Sequence, residues 1–106
     1  MDYDALLHHV RALLAPYNPE EKRMFGSLAF MVGGKICVSV RAERLMCHLG
    51  EQDCQAALAQ PGVTPMVHGG RTMKEYIFVD AAHLTPDAVD KWVGKALARS
   101  GVKPRR

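Results

Sequence analysis

The sequence lacks the short motifs that mark the commonest catalytic and nucleotide-binding sites. It has no GxGxxG, P-loop, GxSxG or HExxH string, each of which would place a phosphate, a nucleophile or a zinc ion. Carboxylates are sparse, and no two of them have a spacing that would pair them as a general acid and a general base. The sequence therefore predicts a protein that is not an enzyme and that uses no cofactor.

Cysteines and histidines are few and poorly placed for a metal ion. The three cysteines, Cys37, Cys47 and Cys54, form no CxxC pair, and their odd number predicts free thiols that behave as small apolar residues. His8 and His9 are neighbours on a predicted helix, where adjacent side chains cannot face one metal together. We expect no metal site.

Long apolar runs are also missing. No run approaches the roughly 18 residues that a membrane span requires. The acidic start, residues 1–4, lacks the apolar segment of a secretory signal. With 106 residues, 48% of them hydrophobic, the chain is expected to form one domain over residues 1–106. We therefore expect a cytoplasmic protein that does not bind a membrane.

The stretch 24–40 is the strongest structural signal that is present. Two apolar runs flank Gly33-Gly34, and two glycines can supply the positive φ angles of a type I′ turn, which predicts a two-residue β-hairpin. In that register Val32 lies opposite Lys35, Met31 opposite Ile36 and Phe30 opposite Cys37. One face then carries Leu28, Phe30, Val32, Cys37 and Ser39, and the other carries Ala29, Met31, Ile36, Val38 and Val40.

A three-residue loop is the alternative for this hairpin. It would group Ile36, Val38 and Val40 with Leu28, Phe30 and Val32, but it favours glycine at the position that Lys35 occupies. We therefore expect the two-residue turn, and both faces of the hairpin to be covered because both are apolar.

The other elements follow from capping residues and periodicity. Asp2 can cap a helix that ends near Leu14, and Thr85-Pro86 is a typical start for a last helix with Trp92 on its apolar stripe. Between them we expect an edge segment at 22–24, strands at 45–49, 65–67 and 75–79, a helix at 51–59 and a loop at 68–71. The pattern predicts an α+β two-layer sandwich, an antiparallel sheet with the N- and C-terminal helices packed on it.

Positive charge is concentrated near the C-terminus, with a basic tail from about residue 100. The chain has a formal charge of +3, yet residues 86–106 alone hold six basic and two acidic residues. Such a set could contact phosphates, or could simply be a solvated helix face. The candidate nucleic-acid-binding residues are Lys91, Lys95, Arg99, Lys103, Arg105 and Arg106, with Arg71 and Lys74 as additional contacts.

Several ordered blocks give the chain a family resemblance. Residues 23–35 (RMFGSLAFMVGGK), 56–62 (AALAQPG) and 70–80 (GRTMKEYIFVD), closed by Trp92-Val93, resemble the N-terminal domain of the TfoX (Sxy) competence regulators. The resemblance implies an antiparallel α+β domain and a role in regulating gene expression, typically DNA-uptake competence, without an established catalytic activity. Thr72 and Glu75 stand where the family usually has proline and glycine, and the second, helical domain of full-length regulators is not expected here.

Three functional hypotheses remain open at this point. The first is a non-enzymatic regulatory or protein-interaction module with an unknown protein partner. The second is a nucleic-acid-associated protein that uses the basic C-terminal helix and tail. The third is a small-ligand or enzyme site around His68, Arg71 and Lys74, which a deep pocket converging on those side chains would favour.

The doubly apolar hairpin also predicts self-association. If the two terminal helices cover one face of the sheet, the other face is left apolar, and a two-fold homodimer would bury it. The alternative is that residues 65–73, which include Met66, Val67 and Met73, fold over that second face.

Overall fold

The two terminal helices begin and end where local chemistry predicts. The computed structural model describes residues 1–24, 26–42 and 44–105. Helix α1, Tyr3–Leu14, starts at Asp2, whose carboxylate accepts a hydrogen bond of 2.7 Å from the Ala5 amide. Helix α3, Pro86–Ser100, starts at Thr85, whose hydroxyl accepts from the Ala88 amide at 3.2 Å.

Six strands form one antiparallel sheet in the order β1-β2-β3-β4-β6-β5. The strands are β1 Glu20–Met24, β2 Ser27–Val32, β3 Lys35–Val40, β4 Arg44–His48, β5 Val63–His68 and β6 Arg71–Asp80, and the short helix α2 is Glu51–Ala57. Short 3-10 helices at 15–17 and 81–83 follow α1 and β6. The predicted α+β class, with the terminal helices on the sheet, is confirmed.

The predicted hairpin forms, but its register changes after two pairs. Gly33 and Gly34 have φ angles of 65° and 83°, Val32 pairs with Lys35, and Met31 pairs with Ile36. The expected pair of Phe30 with Cys37 is wrong, because a bulge at Cys37 brings Val38 opposite Phe30. The predicted division of the faces is therefore wrong for Val38, Ser39 and Val40.

The bulge decides which side chains enter the core. Val38 and Val40 are fully buried with Leu28 and Phe30, whereas Ser39 lies on the other side of the sheet. Without the bulge, the helices would face Ser39 and the two valines would point away from them. Burial of apolar area against α1 and α3 is the physical reason for the changed register.

Helices α1 and α3 pack against each other and against the central strands, while α2 packs on β6. The predicted stripe of α3 is confirmed, since Val89, Trp92, Val93 and Ala96 are all buried and Trp92 is only 2% exposed. The predicted freedom of the three thiols is also confirmed, and all three cysteines are buried.

The second half of the sheet is longer than predicted. The expected loop at 68–71 is wrong, because β5 and β6 continue to a two-residue turn at Gly69-Gly70, where both φ angles are positive. The expected helix at 51–59 ends at Ala57 instead. The residues around this second turn are polar and exposed, so their pattern does not predict strands. Only the glycine pair itself indicates the hairpin.

Candidate functional site

The side of the sheet away from α1 and α3, here called the cavity face, is defined by strand alternation. On β4 and β6, the core side of the sheet carries Leu45, Ile77 and Val79. The residues that alternate with these along each strand project from the opposite side. The cavity face of the four central strands includes Ala29, Ile36, Ser39, Met46 and Phe78.

A bent hairpin arm, defined as residues 66–73, reaches over the cavity face. Pro65 pairs with Ile77, but the next residue, Met66, pairs with Met73, so that three residues of β6 (74–76) have no counterpart across the ladder. An interruption of this size bends the hairpin. The amides of Leu49 and Gly50 donate to the Glu75 carbonyl at 3.0 and 3.1 Å and hold the bend against the end of β4.

Between the arm and the cavity face lies a cavity of about 500 Å³. Four of the six methionines of the chain line it, together with small and aromatic side chains. Methionine side chains are flexible and polarizable, so a wall rich in them can adapt to ligands of different shape. The lining residues are Met24, Ser27, Ala29, Ile36, Ser39, Arg41, Arg44, Met46, Met66, Val67, His68, Met73 and Phe78.

Two arginines give this apolar cavity a positive character. The Arg44 guanidinium lies 3.7 Å from the centroid of the Phe78 ring, a cation–π contact that holds it in place. The Arg44 Nε is buried and has no hydrogen-bond partner in the part of the chain that the structure describes. Arg41 also lines the cavity, and no carboxylate does so among residues 1–24, 26–42 and 44–105.

The side chain of His48 connects β6, at the point where the arm begins, with the rest of the sheet. Its ring stacks on Tyr76 with centroids 4.3 Å apart, its Nδ1 lies 3.0 Å from the Ile36 carbonyl, and its Nε2 lies 3.2 Å from Glu75 Oε1. The side chain is buried, and each ring nitrogen faces an oxygen. These contacts fix the position of β6 where the arm bends.

The buried thiols are poor nucleophiles. Burial raises the pKa of the Cys37 thiol to about 11, and burial raises the pKa of the Cys47 and Cys54 thiols as well. A thiol is reactive mainly as its thiolate, so these groups are in their unreactive form near neutral pH. Their environment is that of core residues.

The predicted basic residues lie in two separate groups, one on or after α3 and one on β6. Lys95, Lys103 and Arg105 are exposed on or after α3, whereas Arg71 and Lys74 are exposed on β6, in or beside the arm. Lys91 donates to the Gln60 amide oxygen at 2.7 Å and lies 4.4 Å from the Trp92 ring centroid. Arg99 turns inward, and Arg106 lies outside the described residues.

The inward turn of Arg99 removes it from the solvent-facing stripe that the sequence suggested. Its Nε donates to the His48 carbonyl at 3.0 Å, and its Nη2 is buried without a partner among the described residues. Within the group His68, Arg71 and Lys74, only His68 lines the large cavity. Lys74 lines a smaller depression of about 160 Å³ beside α2.

Sequence reasoning missed Arg41 and Arg44. A signal for Arg44 is present in the sequence, because strand alternation places Met46 and His48 on one face and Arg44 continues that alternation. The arm, which turns this face into a cavity, had no comparable signal.

Within the described residues, no group of three or more histidine, cysteine or acidic side chains could hold a metal ion. No helix in that part of the chain is both long and apolar enough to cross a membrane.

Comparison with known proteins gives one match. A family model described as the TfoX N-terminal domain matches residues 12–100, which is most of the chain. No curated protein and no solved structure matches it.

Proposed function

Because this chain belongs to the TfoX N-terminal domain family, we propose that it is a non-enzymatic regulatory module that acts by binding a partner protein. The proposed role is cytoplasmic and lies in the control of gene expression, with DNA-uptake competence as the process that the family resemblance suggests. The family match supports the regulatory class, and the surface chemistry below supports binding to a protein.

The observation that carries the proposal is an exposed apolar patch between α2 and the arm. Leu58, directly after α2, is 42% exposed, and Met73 on the arm is 37% exposed. Both side chains line the smaller depression, together with Pro65 and the polar side chains of Gln55 and Lys74. Apolar residues with a polar rim are typical of protein-binding surfaces.

The experiment compares transcripts in the source organism. The gene is deleted and then restored as wild type, Leu58→Asp or Leu58→Met. We expect the deletion to change a defined set of transcripts, and we expect wild type and Leu58→Met to restore them. Leu58→Asp should fail although the purified variant remains folded, because an exposed charge repels an apolar partner surface. Transcripts that do not respond to the deletion, or that Leu58→Asp restores fully, would contradict the proposal.

A second candidate, nucleic-acid binding, is favoured by the exposed cations after the middle of α3. The Arg105 amide donates to the Pro16 carbonyl and so holds the basic tail near the end of α1. The exposed side chains are then those of Lys95, Lys103 and Arg105, which all lie on or after α3 in the helical layer of the fold. Phosphate contacts of this kind are independent of sequence and weaken as salt rises.

A salt titration of binding to duplex DNA tests this candidate. The logarithm of the binding constant should fall linearly with the logarithm of the salt concentration, by a slope of about 0.9 for each phosphate contact. Lys103→Gln should remove about one phosphate contact and so reduce the slope by about 0.9. Arg99→Gln should leave the slope unchanged because Arg99 points inward. Binding that is absent at low salt, or that does not depend on salt, would remove this candidate.

A further inference from the structure

We propose that the cavity under the arm binds a small organic molecule with an apolar body and one carboxylate, and that the carboxylate pairs with Arg44. The inference goes beyond the regulatory role, since it concerns a ligand of the isolated protein. It can therefore fail or succeed independently of any effect on transcription.

The size and the lining of the cavity fit the apolar body. Its volume of about 500 Å³ lies within the range of roughly 300–1,000 Å³ that is usual for small-molecule sites. Ala29, Ile36 and Phe78 form the floor on the sheet, and Met66 and Met73 of the arm form the opposite wall. An acyl chain or an aromatic ring placed there would replace water against apolar groups on both sides.

The charge of the ligand follows from Arg44. A buried guanidinium nitrogen that makes no hydrogen bond is costly, and among the residues that the structure describes the Arg44 Nε is in that state. A carboxylate in the cavity can accept two parallel hydrogen bonds from the planar guanidinium fork. The contact with Phe78 holds the fork at the cavity wall, so that little side-chain entropy is lost on binding.

The mostly apolar lining favours a singly charged anion over a cation or a doubly charged group. A ligand cation would meet the positive charge of Arg44 with no carboxylate from the described lining residues to offset it. A doubly charged group would lose more hydration on entering a mostly apolar cavity than a single carboxylate does. The other polar side chains that line the cavity are Ser27, Ser39, which is 6% exposed, Arg41 and His68.

The test uses octanoate and its uncharged analogue 1-octanol as probes for isothermal titration calorimetry. We expect wild-type protein to bind one octanoate and to bind 1-octanol at least about tenfold more weakly, because a charged hydrogen bond is lost. Arg44→Met should weaken octanoate binding by a similar factor and remove the preference for octanoate. Lys95→Met, which removes an exposed cation on α3, should bind as wild type does.

A second measurement needs only the wild-type protein and so does not depend on whether Arg44→Met folds. In spectra of ¹³C-labelled methionine methyl groups, octanoate should shift the signals of Met46, Met66 and Met73 and leave that of Met1 unchanged. Absence of octanoate binding would overturn the proposal. Equal affinity for the two probes, an equal loss in Arg44→Met and Lys95→Met, or shifts that are absent from the cavity methionines would overturn it as well.

Discussion

At the scale of single residues, burial of ionisable groups controls how the stability of this protein depends on pH. The raised pKa of the Cys37, Cys47 and Cys54 thiols means that the folded state keeps protons that the unfolded state loses. Thiols of the unfolded chain lose their protons near pH 8.5. Above that pH the unfolded state binds fewer protons, and the free energy of unfolding therefore falls as pH rises.

We predict that wild-type protein loses stability between pH 8.5 and the Cys37 pKa of about 11. The slope for one fully buried thiol is about 1.4 kcal/mol per pH unit. Below pH 8 the thiol contribution is fully present. Urea unfolding at pH 7.5, 9 and 10 measures the effect, and Cys47→Ala should show a smaller fall over the same range. A wild-type stability that is constant or rising from pH 8.5 to 10 would contradict the prediction.

Trp92 is the second residue whose burial has a measurable consequence. Its side chain is 2% exposed and packs in the core beside Val89, Val93 and Ala96. We predict that Trp92→Ala lowers the free energy of unfolding by about 3–5 kcal/mol, the usual cost of a large-to-small change in a core. Urea melts check the value, and Lys95→Ala on the exposed side of α3 is the control. A loss below about 1 kcal/mol would mean that Trp92 contributes little to the core.

At the scale of elements, the hairpin turn between β2 and β3 is coupled to the C-terminal tail. A Cβ added to Gly33 would lie 2.7 Å from Cγ2 of Val102, whereas a Cβ on Gly34 would meet open space. Both glycines have positive φ angles, so alanine at either position is strained by about 1–2 kcal/mol. The clash with Val102 adds to this strain only at Gly33.

We therefore predict that Gly33→Ala destabilises the protein more than Gly34→Ala does. Combining Gly33→Ala with Val102→Ala should remove the excess, because the smaller side chain relieves the clash. Free energies of unfolding for the single and double variants form a double-mutant cycle that measures this coupling. Equal effects of the two glycine substitutions, or additive effects in the double variant, would show that the tail does not press on the turn.

At the scale of the whole molecule, the arm changes the argument for a homodimer. The prediction assumed that one face of the sheet is left uncovered, but Met66, Val67 and Met73 lie over that face. The alternative cover, by residues 65–73, is therefore the arrangement that the structure has. What remains for a second copy is the solvent-exposed part of the arm, where Val67, which also lines the cavity, is 58% exposed.

We keep self-association as a prediction, now with paired arms instead of paired sheets. Light scattering at micromolar concentration should give about twice the mass of the 11.7 kDa chain, and Val67→Lys should give the monomer mass. Lys95→Ala serves as the control that stays dimeric. A wild-type mass near 11.7 kDa that does not change on concentrating the sample would exclude the dimer.

The sequence by itself determined the features of this protein that depend on neighbouring residues. The Asp2 and Thr85 caps, the Gly33-Gly34 turn and the stripe around Trp92 all follow from local hydrogen bonds, allowed φ angles or helical spacing. The order of the elements then suffices for the α+β class.

Only the tertiary structure decided the register beyond the turn and the existence of the cavity. The bulge at Cys37 is selected by the side of the sheet that α1 and α3 cover, which is a contact between residues far apart in the chain. The arm bends because 74–76 of β6 find no partners on β5, and Arg44 faces a cavity only because the arm lies opposite it. Local patterns carry no information about such encounters, since the free energy that selects them comes from packing between distant segments.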